Sequence, residues 1–149
     1  MKRKGFTLVE LLLSISILGL LLALTGLSIN NLLRRQDLQA SANEIKESLY
    51  LAQSQTTNHV PTGIYFDADR FVVFFGDHFI PDHSQNQEHL LAAQITLSAI
   101  NLVDQSVTFE PMTGYIQPFV SPANLTLADQ QTGQSYLISL NRLGRVKIE

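Results

Sequence analysis

With 149 residues the chain has room for one ordinary domain, which argues against a multidomain enzyme. A composition of 45% hydrophobic and 15% charged residues, with a formal net charge of −3, excludes both a disordered acidic tail and a basic nucleic-acid protein as descriptions of the whole. The absence of cysteine removes disulfides, a thiolate nucleophile and thiolate metal ligands.

The averages hide an asymmetry. Leu11 to Leu33 is a run of 23 residues without a charge, and 12 of the 13 acidic residues follow it, so the sequence predicts a membrane segment and then a polar body. At about 1.5 Å per residue the run would span roughly 35 Å as a helix, against roughly 30 Å of bilayer hydrocarbon. Lys2, Arg3 and Lys4 precede it, which favours a cytoplasmic N-terminus with the rest outside; Arg34 and Arg35 weaken that bias without reversing it.

The chain opens Met1-Lys2-Arg3-Lys4-Gly5-Phe6-Thr7-Leu8-Val9-Glu10. A basic stretch before an apolar run is common to secretory signal peptides, uncleaved signal anchors and prepilin-type leaders, and Glu10 separates them. An ionisable group costs roughly 2.5 to 3.5 kcal/mol at the centre of a spanning helix and less near its end, so it usually has a partner or a task. A secretory signal has no use for it, and the nearest small-x-small cleavage pattern, Ala23-Leu24-Thr25, is poor.

Gly5-Phe6-Thr7-Leu8-Val9-Glu10 after the basic leader resembles the processing site of type IV pilins and type II secretion pseudopilins. The resemblance implies that a membrane-embedded prepilin peptidase cuts after Gly5 and methylates the new amine of Phe6. Glycine before the scissile bond leaves the backbone open, with no Cβ in the way. Glu10 is then an assembly residue whose desolvation is offset by an opposite charge on a neighbouring subunit. The plainer alternative is a carboxylate that snorkels to the headgroups. Processing would remove three of the ten basic residues, taking the net charge of the side chains from −3 to −6.

The domain plan is a leader over 1–5, a hydrophobic membrane and assembly helix over 6–33, an amphipathic second half over 34–60, and a β-rich body over 61–149. No proline interrupts Phe6 to Val60, and Leu38, Ala42, Ile45, Leu49 and Ala52 recur at the helical period. One helix of about fifty residues is expected, with Arg34, Arg35, Asp37, Glu44, Lys46 and Glu47 on its exposed face. Gly19 and Gly26 are read either as small residues at a helix-packing face or as points of local unwinding on assembly.

After Pro61 the period becomes two. Residues 62–66 and 70–75 flank Asp67-Ala68-Asp69 as a hairpin, and further strands are expected over 94–100, 106–110, 125–128, 135–140 and 145–148. Turns fall at 111–114, 131–133 and 141–144. About seven strands after a long helix predict an α+β fold, the helix packed on a C-terminal antiparallel β-sheet body. The order of elements resembles the H-type minor pseudopilins and FimT minor pilins, grouped as the GspH/FimT domain. Gly63-Ile64-Tyr65-Phe66, Val107-Thr108-Phe109-Glu110-Pro111 and the closing Ile138 to Val146 carry that resemblance. Leu27 stands near where major pilins often have a kinking proline, which argues for a minor subunit.

His78, His83 and His89, with Asp77, Asp82 and Glu88, lack any ligand spacing of the H-E-x-x-H kind, and a solvated loop over 76–91 is the expectation. Asp67 and Asp69 are read as turn residues rather than calcium ligands, for no acidic residue stands twelve positions on. No catalytic residue, metal or cofactor is expected. Arg142, Arg145 and Lys147 concentrate basic charge at the end of an acidic molecule, and Gly144-Arg145-Val146-Lys147 resembles a stretch linked to DNA binding in FimT-like subunits of uptake pili. Alternate strand positions would face one side and touch phosphates nonspecifically; the competing reading is an edge strand whose charges deter unwanted pairing.

The resemblance implies a non-enzymatic minor pseudopilin of a type II secretion system, placed in the pseudopilus tip, or else a FimT-like minor pilin of a DNA-uptake pilus. Its implied partners are other major and minor pilins, the prepilin peptidase, the inner-membrane assembly platform, membrane lipid and, in the second case, DNA. The implied location is the inner membrane, single-pass with the body periplasmic, and then the fibre.

Overall fold

The computed structural model describes residues 6–56 and 60–149, with the backbone alone over 23–31. Its elements are helix α1 (Leu8–Gln55) and strands β1 (Thr62–Phe66), β2 (Arg70–Phe75), β3 (Gln87–Leu90), β4 (Ile95–Asn101), β5 (Ser106–Phe109), β6 (Ala123–Asp129), β7 (Ser135–Leu140) and β8 (Val146–Ile148). A 3-10 turn over Val103–Gln105 leads into β5. The chain divides into two compact units, Met1–Arg35 and Gln36–Glu149.

In the first unit the described side chains from Phe6 to Leu22 are exposed. Ser14 Oγ donates to the Glu10 carbonyl at 2.7 Å and Ser16 Oγ to the Leu12 carbonyl at 2.8 Å, so both hydroxyls are satisfied by their own helix. Among the described residues no helix is long and apolar enough to cross a membrane. The uncharged run read from the sequence passes through 23–31, whose side chains lie outside the described residues.

In the second unit the helix contributes the expected stripe. Leu38, Ala42, Ile45, Leu49 and Ala52 are at most 2% exposed, and the alanines let the backbone approach the sheets closely. Lys46 is half-buried and Asp37, Glu44 and Glu47 are exposed; in the first unit Arg34 is half-buried and Arg35 exposed. The helix ends at Gln55, short of the expected residue 60. Thr56 is buried and its hydroxyl donates to the Ala52 carbonyl at 3.0 Å, closing the last turn from within.

The body is two antiparallel four-stranded sheets, in the orders β3-β2-β1-β5 and β4-β6-β7-β8. Among the described residues there are eight strands, where about seven were expected. The additional one, β3, lies in the stretch read as a solvated loop: its polar residues form a mostly exposed edge, so it shows no apolar alternation and is held by backbone pairing with β2. The other strands fall within two residues of their expected bounds. Ile64, Phe66, Phe71 and Phe109 from the first sheet and Leu125, Leu127 and Ile138 from the second are fully buried with the helix stripe in one core.

Side chains close the turns. Buried Asp129 accepts from the amides of Gln131 and Thr132 at 2.7 and 3.1 Å between β6 and β7. Asn141 Oδ1 accepts from Leu143 and Arg145 at 3.0 and 2.9 Å between β7 and β8. Gly63 has a different use: a Cβ there would stand 2.4 Å from Phe74 Cζ and 2.6 Å from the Val107 carbonyl oxygen. Because the second neighbour is backbone of the paired strand β5, it cannot rotate away. Gly63→Ala is expected to destabilise the body by about 1 to 3 kcal/mol through overpacking. Leu49→Ala should cost about 2 to 5 kcal/mol through the cavity it leaves; urea unfolding of both variants beside the parent checks the pair.

Candidate functional site

Phe6 and Thr7 precede the helix, and Phe6 is 84% exposed. Gly5, the expected cleavage residue, lies outside the described residues. Thr7 is the residue before Leu8, and its side chain and that of Glu10 interlock. The Thr7 amide donates to Glu10 Oε2 at 3.0 Å, the Thr7 hydroxyl donates to the same oxygen at 2.9 Å, and the Glu10 amide donates to Thr7 Oγ1 at 3.3 Å. This is a reciprocal capping box: threonine at the N-cap, glutamate three residues on, each satisfying a backbone N–H that the helix leaves unpaired. The carboxylate also sits where the helix dipole favours negative charge.

Glu10 therefore has a partner in its own chain, which the sequence reading had not assigned. The signal was present, since Thr-x-x-Glu ahead of an apolar run is the capping-box pattern. Thr7 and Glu10 come together in one turn, and Phe6 precedes them in the chain, exposed.

The basic residues of the C-terminus form a second group. Val146 and Ile148 of β8 pack on the core, while Arg145 and Lys147 are exposed between and beside them, so the two cations share the solvent face as strand alternation requires. Arg142 lies in the preceding turn, where its carbonyl accepts from the Ile116 amide at 3.0 Å and its side chain is exposed. Lys147 Nζ is bonded to Glu149 in the same strand end, which takes up part of its charge. Lys46 of α1 and Lys147 line one groove with Gln39, Asn43 and Tyr136. The structure thus brings a helix lysine to Lys147, while Arg142 lies apart with Ile116, Gln117 and Phe119.

The histidines do not converge. His78 and His83 are exposed, whereas His89 points from β3 to the helix, with Nδ1 3.0 Å from Glu44 Oε1 and its ring stacked on Phe71 at 4.8 Å. Among the described residues no three His, Asp or Glu side chains come together as a metal site. Asp67 accepts from the Ala68 amide at 2.8 Å and lies 3.5 Å from Arg70 Nε, a turn residue's partners. Arg70 donates to Glu88 at 2.6 Å, and that hydrogen bond holds its guanidinium above the ordinary arginine range.

Residues 1–26 match the prokaryotic N-terminal methylation motif. No curated protein matches the sequence. Among solved structures, the type IV minor pilin FimU of Pseudomonas aeruginosa is similar in fold, with a TM-score of 0.56 at 20% identity, covering 78% of this chain and 90% of that one. The pairing of long helix and antiparallel sheets is therefore pilin-like. Thr7→Ala is expected to free the first helical amides, weakening the helix start by about 1 kcal/mol, while Thr7→Ser keeps it. Amide exchange over residues 8–11 in detergent micelles reads the difference: faster in the alanine variant, unchanged in the serine one.

Proposed function

We propose that this chain, type IV pilin-like in its N-terminal motif and its fold, is a minor fibre subunit that works by assembly rather than catalysis. It enters the inner membrane with its basic leader cytoplasmic and its body outside. Prepilin peptidase cuts between Gly5 and Phe6 and methylates the Phe6 amine, and the assembly platform then lifts the subunit into a fibre with other pilins. The observation that carries this reading is the hexapeptide Gly5 to Glu10, whose last three residues open helix α1, in a chain of pilin-like fold.

Glu10 fits the two stages. While the subunit is alone, Thr7 supplies hydrogen bonds to Oε2 and offsets part of the carboxylate's desolvation. Those bonds leave Oε1 for an amine of the next subunit, so assembly adds a charge pair without dismantling the cap. Once three leader cations are gone, Phe6 offers such an amine at the exposed start of each chain.

Two machines use subunits of this build. The fold likeness to FimU favours a type IV pilus minor pilin. The hairpin and closing-strand resemblance to H-type minor pseudopilins favours a type II secretion pseudopilus. In the pilus reading, Arg145 and Lys147 on one exposed face are suited to nonspecific contact with DNA phosphates.

Intact mass and N-terminal sequencing of the protein from native membranes should show a chain beginning at methylated Phe6; a chain still beginning at Met1 rejects the proposal. Glu10→Ala should remain in the membrane yet lose co-purifying pilin subunits, and the identity of the subunits held by the parent chain names the machine. For DNA, replacing Arg145 and Lys147 by alanine should lower the slope of log affinity against log salt by about 2. Absence of binding by the parent protein even at low salt removes the DNA reading.

A further inference from the structure

The helix and the first sheet part at one end. Glu44 meets His89 of β3 at 3.0 Å, and about three turns on, at nearly the same angle about the helix axis, stands Gln55, the last residue of α1. Phe75 ends β2 in the same phase as Phe71 and Val73, so its ring turns toward the helix, half-buried where those two are buried. β3 begins only at Gln87, opposite Val73, and leaves Phe75 without a strand beside it on that edge. A cleft of about 690 Å³ opens there between the helix end, the end of β2 and the loop before β3, within the roughly 300 to 1,000 Å³ of small-ligand sites.

Its lining has one chemistry. Four side chains, Gln55, Gln85, Asn86 and Gln87, are primary amides, Phe75 and Val60 give an apolar wall, and among the described residues none that lines the cleft is ionisable. Gln55 Oε1 is buried and accepts no hydrogen bond among the described residues, whereas the hydroxyl of Thr56 beside it is satisfied by the Ala52 carbonyl. A buried acceptor without a donor costs stability and is rare in folded proteins, so this oxygen marks a place for a donor from outside the chain. The facing wall is fixed in advance: Asn86 Nδ2 donates to the Ile80 carbonyl at 2.9 Å and the Asn86 amide to the His83 carbonyl at 3.0 Å. A loop folded on itself in this way need not be ordered by a ligand.

We propose that this cleft binds a neutral saccharide. A charged ligand would lose its hydration there without meeting a countercharge. Amide side chains both donate and accept, as sugar hydroxyls and acetamido groups do, and Gln55 Oε1 takes an O–H or N–H of the sugar. The apolar face of a pyranose ring lies against Phe75 while its polar edge reaches the amides. A peptide strand fits less well. The Gly76 amide already donates to the Pro61 carbonyl at 2.7 Å, which closes the backbone of β1 and β2 at this end, so the cleft offers side chains rather than a strand edge. Saccharide binding by the body stands apart from the fibre-subunit role and does not require it.

The full chain, isotope-labelled and held in phosphocholine micelles that carry no sugar headgroup, is titrated by NMR with cellotriose, with triacetylchitotriose and with the uncharged capped peptide Gly-Ser-Gly. At least one trisaccharide should give saturable shifts of the side-chain amides of Gln55, Gln85 and Gln87, and the peptide none. Gln55→Leu should weaken that binding about tenfold, the loss of one hydrogen bond. It should do so without lowering the melting temperature, because the oxygen it removes has no partner within the described chain. If that variant unfolds, Ser84→Ala with Gln85→Ala, at two exposed positions, gives the same reading through a comparable loss of affinity. No response to either trisaccharide, shifts outside the cleft, a response to the peptide in place of the sugars, or unchanged affinity in the folded variants overturns the proposal.

Discussion

The body depends on one contact, the apolar stripe Leu38 to Ala52 of α1 laid against two sheets. Neither sheet is large enough to bury its own inner face, and each strand set has four members with aromatic and branched residues on one side. The helix supplies the common wall. Ala42 and Ala52 set how close it comes, while Leu38, Ile45 and Leu49 fill the space between Phe66, Phe71 and Phe109 on one side and Leu125, Leu127 and Ile138 on the other. Gln53 fastens the end of this wall by donating to the carbonyls of Gly114 at 2.7 Å and Leu143 at 2.9 Å, two loops far apart in sequence. Gly144 has positive φ, and a Cβ there would meet the Gln53 amide at 2.5 Å, so the clamp needs glycine at that point for both backbone conformation and space.

The N-terminal unit follows different rules. Its described side chains carry no buried stripe, and the helix is continued by residues that satisfy themselves: Ser14 and Ser16 bond their own backbone, and Thr7 and Glu10 cap each other. Each of these polar side chains has a partner within its own turn of the helix. Glu10 is the one formal charge of the described segment 6–22, and its cap makes that charge tolerable without a second chain.

Function divides along the same line. Residues 1–26 match the N-terminal methylation motif, and the body presents exposed strands and charged side chains. Lys147 shares a groove with Lys46 of α1, about a hundred positions earlier in the chain, and His89 of β3 meets Glu44 of the same helix.

The sequence by itself determined the N-terminal methylation motif, the long helix with its buried stripe, the hairpin over 62–75, the turns at 131–133 and 141–144 and the α+β class. Each of these is local: a period, a capping pattern or a turn residue within a few positions states it. Even the Thr7–Glu10 box was legible, because its partners are three residues apart. Tertiary structure alone decided the division of strands into two sheets and the existence of β3. β3 has no apolar alternation, since it borders solvent on most of its surface and exists through hydrogen bonds to β2. Such pairing leaves no mark in composition, and the juxtaposition of Glu44 with His89 or Lys46 with Lys147 joins residues whose only relation is that the chain folds back on its helix.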